Sequence, residues 1–214
     1  MEMRLIKLKN TLKLFMIKVI GFDLGGVYLS DCWVKSVREK IVNKFNISKK
    51  EFEENNDRFE QDITEGKISE SVFLKKLVGK NKNIIIQEIK QYIRRLNKII
   101  CPEIFELMER LKKNYKLVLI NNEGKEWNEF RIKKFHLNKI FDKILTSCIL
   151  KDSKPNKSYF KKVLSKLNIK PSELLFIDDK AENITSANRI GIKTIYFRNP
   201  HQLKKELSGL GIKL

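Results

Sequence analysis

Asp23 closes an apolar run in IKVIGFDLGGV, and far along the chain a second run, LLFI, ends in Asp178 and Asp179. Carboxylates at the ends of two strands can meet at one edge of a parallel sheet, where they make a site for a hard cation and a transferable oxyanion. Adjacent carboxylates repel, and an unpaired buried one is costly, so a cation answers both difficulties. Asn121 in LVLINNEG and Lys154 in DSKPN lie between them, each where a further strand is expected to end. Taken singly, Asp23 reads as a turn residue and Asp178 as a helix cap. It is the pairing that points to chemistry.

The elements that must position these residues are legible as alternating patterns. IKVIGF (17–22), YKLVLI (115–120), KILTS (143–147), LLFI (174–177) and KTIYF (193–197) read as strands, the first nearly continuous in apolar character as buried parallel strands are. Helical patterns separate them: PEIFELMERLKKN with Pro102 in its first turn, KEWNEFRIKKF, SYFKKVLSKLN, AENITSANRI ended by Gly191, and a last helix opened by Pro200. This alternation predicts an α/β fold, a Rossmann-like open parallel sheet with helices on both faces. Residues 31–98 break the rhythm. Val34, Val37, Ile41 and Phe45 make one helical stripe, Phe52 and Phe59 belong to another, Ser71 to Leu74 lead a third and Ile84 to Ile100 resemble a fourth. They predict an all-helical cap between a core of residues 16–30 and 99–214, hinged near residues 29–32 and 98–102 and placed as a lid.

Composition bounds the alternatives. The chain has 214 residues, is 42% hydrophobic and suits one domain with an insertion. No apolar stretch approaches the roughly 20 residues that cross a bilayer, so no membrane partner is expected. Cys32, Cys101 and Cys148 have neither the count nor the spacing of a disulfide framework or a zinc site, which favours a reducing, cytoplasmic setting. The formal charge of +19 attracts any polyanion, but the excess is mostly lysine, spread from end to end, with no zinc pairs, aromatic-studded basic strand or helix-turn-helix spacing. Nucleic-acid binding is therefore not the expected role, and a phosphorylated small molecule is a milder use of the same charge. In residues 1–15, Leu5, Leu8, Leu12 and Phe15 recur at helical spacing among lysines. This N-terminal extension reads either as a short targeting segment or as an element laid beside or upstream of the core.

The spacing of these short sites on successive strand ends resembles the haloacid dehalogenase-like hydrolase superfamily, with a helical cap inserted after the first motif. The resemblance covers nearly all of the chain after Met16. It lies nearest the subgroup of small-metabolite phosphatases and the amino-terminal phosphatase domain of bifunctional epoxide hydrolases. It implies that Asp23 is a nucleophile, a carboxylate able to attack phosphorus in line and form an acyl phosphate that water cleaves. It implies Mg²⁺ held by Asp23, Asp179 and the Gly25 carbonyl, with Asp178 beside them through water or through contacts behind the direct ligands, and Asn183 steadying the metal end. It implies that Lys154 neutralises the nucleophile and the transferring phosphoryl group.

Two departures stand out. Asn121 occupies the place of the family's Ser or Thr, and its amide can donate to a phosphate oxygen but is longer and also carries an acceptor. The backbone N–H groups of Asn122 and Glu123 are expected to help, near a helix start. Gly25 stands where most phosphatases of the superfamily carry a second Asp, which serves as acid to the leaving oxygen and base to the water. Glycine can do neither, which points to leaving groups needing little protonation, or to an acid from the cap or water.

The resemblance thus implies a Mg²⁺-dependent phosphomonoester hydrolase for a small phosphorylated metabolite, a sugar phosphate among the candidates, working as a monomer or homodimer. The alternative is a catalytically impaired member acting as a binding or regulatory module. Dehalogenation is disfavoured by the Asp178-Asp179 pair and by Gly25. His136 is expected to mark a helix end, His201 to be solvated, and Trp127 and Phe130 to be core. Tyr28, Trp33 and Arg38 are placed to meet substrate or to pack the lid.

Overall fold

In the computed structural model, which describes residues 17–79 and 82–214, the five apolar runs form one parallel sheet. Its strands are β1 (Val19–Phe22), β2 (Lys116–Asn121), β3 (Lys143–Thr146), β4 (Leu174–Asp178) and β5 (Lys193–Tyr196), in the order β3-β2-β1-β4-β5. Every neighbouring pair is parallel, with Phe22 level with Leu119 on one side and Ile177 on the other. The central strand is buried along its whole length, so both of its faces must be covered. Alternate residues then divide between two cores.

Ile20, Phe22, Leu117, Leu119, Leu175 and Ile177 point to one layer. It is filled by α5 (Pro102–Leu111) through Ile104, Leu107, Met108 and Leu111, and by α11 (Pro200–Gly209) through Leu203 and Leu207. Val19, Val118, Ile120, Leu174 and Phe176 point the other way, onto Tyr159, Phe160, Val163 and Leu164 of α9 (Lys157–Leu167) and Ala187 of α10 (Ala181–Asn188). Each aliphatic side chain fully buried in this way contributes about 1.5–3 kcal/mol.

Between β1 and α5 the described residues form four helices and no named strand: α1 (Lys35–Phe45), α2 (Lys49–Thr64), α3 (Glu70–Val78) and α4 (Asn83–Leu96). Ser48 and Ser69 start the second and third with side-chain caps on the N–H groups of Glu51 and Val72. The helices share a third apolar cluster, including Ile41, Phe52, Phe73, Leu74, Ile89 and Ile93, which also takes in Trp127 from α6 (Lys125–Phe135). The chain enters and leaves this segment through two adjacent strands of backbone. Ser30 N–H donates to Lys98 O at 3.0 Å and Ile100 N–H to Tyr28 O at 3.0 Å, while Ser30 Oγ reaches Leu96 O at 2.8 Å.

The short helices α7 (Leu137–Ile140) and α8 (Ser147–Leu150) complete the order. Their four-residue length leaves no helical period to read in the sequence. Among the described residues no helix is long and apolar enough to cross a membrane. The expectations for residues 1–15 lie outside the described residues.

Candidate active site

The strand order places the reversal of direction between β1 and β4, the point at which open α/β sheets leave a crevice beyond their carboxyl ends. Asp23 follows β1, Asn121 ends β2 and Asp178 ends β4, so one edge collects all three. Asp23, Asp178 and Asp179 each offer a carboxylate oxygen, and these oxygens lie within 4.8 Å of one another.

Lys154 crosses to them from the loop before α9. Its Nζ donates to Asp23 Oδ1 at 2.7 Å, to Asp178 Oδ2 at 2.7 Å and to Ile120 O at 3.1 Å. The loop is braced by Asn122, whose Oδ1 accepts from Lys154 N–H at 2.9 Å and whose Nδ2 donates to Lys154 O at 2.8 Å. Asp178 is fully buried and saturated by protein donors: Lys154, Asn183 Nδ2 at 3.0 Å to both oxygens, and Lys180 N–H at 2.8 Å. Asp179 is different, because its Oδ1 is buried without a partner among the described residues.

Charge in this cluster is unbalanced. Burial pushes the Asp23 carboxyl up to about 7, with Asp178 and Asp179 pushing the same way and Lys154 opposing. Burial also raises Asp179, and Asp178 adds to it. Lys154 is lowered by burial, but the two carboxylates outweigh that and leave it above the usual lysine value. Three carboxylates thus face one ammonium. An excess of negative oxygen donors, one atom lacking any partner, fits a divalent hard cation rather than a second lysine. Gly26 lets the cluster close. Its φ is +74°, and a Cβ there would run into Asp179 Oδ2.

The crevice opens into a cavity of about 310 Å³ between the sheet edge and the helical segment, near the lower end of the range for small-molecule sites. Its floor includes Asp23, Gly25, Asn121 and Lys154, and its upper walls include Trp33, Arg38, Arg94 and Phe130. Asn121 does not stand free in it. Its Nδ2 donates to Glu123 Oε2 at 3.4 Å, and Glu123 in turn pairs with Arg131 Nη1 at 2.6 Å. Glu123 N–H, expected to be offered to an anion, instead donates to Ser147 Oγ at 2.8 Å. Ser147, 24 residues further on, bridges Glu123 to Thr64 O, a long-range link that the sequence pattern does not reveal.

Other expectations also shift. Tyr28 is buried in the main core, so it packs rather than meets a ligand. Trp33 and Arg38 both line the cavity and are held in place, Trp33 by Asn56 and the ring of Trp127, Arg38 by Glu53. Trp127 is buried and Phe130 half-buried, yet both also line the cavity. His136 ends α6 in a left-handed conformation, φ +51°, and His201 is exposed.

Arg131 was not singled out in the sequence, although a signal existed. It shares the buried stripe of α6 with Trp127 and Asn128, and an arginine on a buried stripe needs a partner. It binds Glu123, Asn97 Oδ1 at 2.6 Å and Ser30 O at 3.1 Å, joining the cavity floor to both crossings into the helical segment. Glu70, on α3, accepts two bonds from Arg94 at 2.7 Å and one from the Trp127 indole.

The chain resembles known proteins in sequence and in fold. The sequence profile of the haloacid dehalogenase-like hydrolases matches residues 22–197. A D-ribitol-5-phosphate phosphatase of Bacteroides thetaiotaomicron is 28% identical over 207 residues, spanning 90% of this chain and 98% of that one. A glyceraldehyde 3-phosphate phosphatase of Pyrococcus furiosus is 31% identical over 101 residues, but the match spans only 45% of this chain and 41% of that one. Among solved structures, an enzyme of the same family from Bacteroides thetaiotaomicron, in complex with magnesium and inorganic phosphate, superposes with a TM-score of 0.68. It is 25% identical and covers 86% of this chain and 95% of that one.

Proposed function

The chain belongs to the haloacid dehalogenase-like hydrolase family, and from that premise we propose that it is a Mg²⁺-dependent phosphomonoester hydrolase acting on a small phosphorylated metabolite. One observation carries the reading: the convergence of Asp23, Asp178 and Asp179 within 4.8 Å, against the buried Lys154. The D-ribitol-5-phosphate phosphatase that resembles it along nearly its whole length supports the phosphatase class, and a sugar or polyol phosphate is the proposed substrate.

In this reading Asp23 attacks phosphorus and carries the phosphoryl group as an acyl phosphate, which water then cleaves. Lys154, bonded to Asp23 Oδ1, orients the nucleophile and offsets negative charge as the phosphoryl group approaches. Asp179, Asp23 and the Gly25 carbonyl would hold Mg²⁺, which when bound would neutralise charge on the phosphate oxygens. Asp178, saturated by Lys154, Asn183 and Lys180, acts as a brace behind the metal end. Asn121 donates to a phosphate oxygen from the amide that Glu123 holds in place. Asn122 contributes by fixing the Lys154 loop, and the helical segment, residues 31–98, serves as a lid that closes the cavity and excludes water.

The test is a burst of product. Sugar phosphates, nucleotides, acyl phosphates and flavin mononucleotide are screened with Mg²⁺, and beryllofluoride is used to trap Asp23. Wild-type protein is expected to turn over at least one of these classes and to bind beryllofluoride. D23N is expected to lose both, with a rate loss on the order of 10⁴–10⁶ as for other nucleophile deletions. Metal binding with neither turnover nor trapping would instead favour a binding module, the reading that Gly25 and the tethered Asn121 support.

A further inference from the structure

Resting on the phosphatase reading, we propose that Asp31 is a catalytic residue that transfers the proton to the leaving oxygen and later accepts one from the hydrolytic water. The need for such a group is chemical. An alkoxide leaves phosphorus poorly without a proton, and positioned proton transfer is typically worth about 10²–10⁴-fold. Gly25, the residue of the first loop that faces the cavity beside Asp23, has no side chain to supply it.

The structure brings a carboxyl to that place from elsewhere. A Cβ built on Gly25 would lie 3.7 Å from Asp31 Cβ and 3.8 Å from Asp31 Cγ. Asp31 therefore borders the space that a side chain at position 25 would enter, and it lines the same cavity as Asp23 and Lys154. It is also held. Its Oδ1 accepts from Trp33 N–H at 3.1 Å, and the preceding Ser30 is pinned by its hydroxyl to Leu96 O and by its carbonyl to Arg131. Lys180 Nζ stands 3.9 Å from Oδ2, and the side chain is 38% exposed, so water can reach it.

The other carboxylates of the cavity wall are placed differently. Glu123 is buried against Arg131, on the Asn121 side. Glu60 lies on α2 and accepts from Asn56 at 3.0 Å. Glu182 is exposed in the first turn of α10.

The steps balance. In the first, a bond forms from Asp23 to phosphorus, the bond from phosphorus to the ester oxygen breaks, and that oxygen takes the proton of the Asp31 carboxyl to leave as an alcohol. In the second, water attacks phosphorus and gives a proton to the Asp31 carboxylate. The bond to Asp23 then breaks, releasing inorganic phosphate and restoring both carboxyl groups to their starting states.

The experiment compares wild type, D31N, D31N with G25D, and D23N on p-nitrophenyl phosphate and phenyl phosphate with Mg²⁺, following phenol and phosphate release before and during steady state. Asn at 31 keeps the acceptor for Trp33 N–H, so the turn is retained. D31N is expected to give a near-stoichiometric burst of p-nitrophenol, a leaving group that needs no proton, and then stall. Its burst from phenyl phosphate should be slowed, and its steady-state rate should fall by about 10²–10⁴-fold on both esters. Adding G25D should restore much of the steady-state rate, because a Cβ at position 25 would meet Asp31 only at ordinary contact distances and its carboxyl would start from the same part of the cavity. The proposal is overturned if D31N turns over both esters at the wild-type rate. It is equally overturned if burst and steady state fall together on both esters without rescue by G25D, as misfolding or misplacement would produce. A D23N protein that keeps wild-type turnover would instead refute the phosphatase reading itself.

Discussion

Lys154 faces carboxylates from two different strands, and its ammonium is what allows Asp23 and Asp178 to be buried side by side. Its own burial is tolerable only because both partners are within 2.7 Å and Ile120 O takes a further N–H. Removing one member of a buried ion pair leaves an uncompensated charge and costs about 3–5 kcal/mol. K154M is therefore expected to lower the unfolding free energy by that amount in metal-free buffer, read as a shifted urea midpoint with an unchanged slope, and to abolish turnover. A midpoint equal to that of wild type would mean that the carboxylates do not depend on this lysine. Lys154 was legible in the sequence through its Pro155 neighbour. Arg131 was not, because its partners Asn97 and Glu123 stand beside it only after folding, and Asp31 was not, because nothing in the run after Gly25 shows that the loop turns Asp31 back over it.

At the scale of elements, the loop joining α8 to α9 delivers Lys154, and Asp152 anchors that loop. Its Oδ1 accepts from Ser153 N–H at 2.9 Å and Asn156 Nδ2 at 3.2 Å, and its Oδ2 pairs with Lys162 at 3.0 Å. Burial raises this carboxyl, but Lys162 and the neighbouring donors outweigh it and hold it below the usual aspartate value. A depressed carboxylate stabilises the fold above the ordinary range near about 4 and loses that contribution as pH falls through the lower folded value. D152N is thus expected to cost about 1–3 kcal/mol near neutrality, and the difference from wild type should vanish in strong acid. Urea titrations at both pH values check it, and a difference of the same size in acid would contradict the assignment. The longer elements were legible because their apolar residues repeat at a strand or helix period. The strand runs were placed to within a residue or two of their observed ends. The four-residue α7 and α8 were not, since a single turn is held by packing rather than by its own propensity.

The whole molecule encloses its site between a sheet edge and a helical segment that has its own apolar cluster. Closure is held by contacts far apart in the chain: Ser147 Oγ on Thr64 O at 2.7 Å, Lys151 Nζ on Gly66 O at 2.8 Å, and the Glu70 carboxylate on Arg94 and Trp127. A ligand that binds the folded state alone stabilises it by mass action, about 2.7 kcal/mol at a hundredfold excess over its Kd. Mg²⁺ is therefore expected to raise the unfolding temperature of wild type, reversibly on chelation, and D179N is expected to lose most of that shift. Differential scanning calorimetry with and without Mg²⁺ measures it. An undiminished shift in D179N would place the ion elsewhere.

By itself the sequence determined the parallel sheet, the helical interruption and the carboxylates at the strand ends, because burial imposes periodicity on residues near one another in the chain. Only the tertiary structure decided which charges offset one another, that Glu123 N–H is taken by Ser147, and that Asp31 stands over Gly25. Those pairings depend on how loops fold back, over six residues for Gly25 and Asp31 and over 24 for Glu123 and Ser147, and a linear pattern holds no record of such distances.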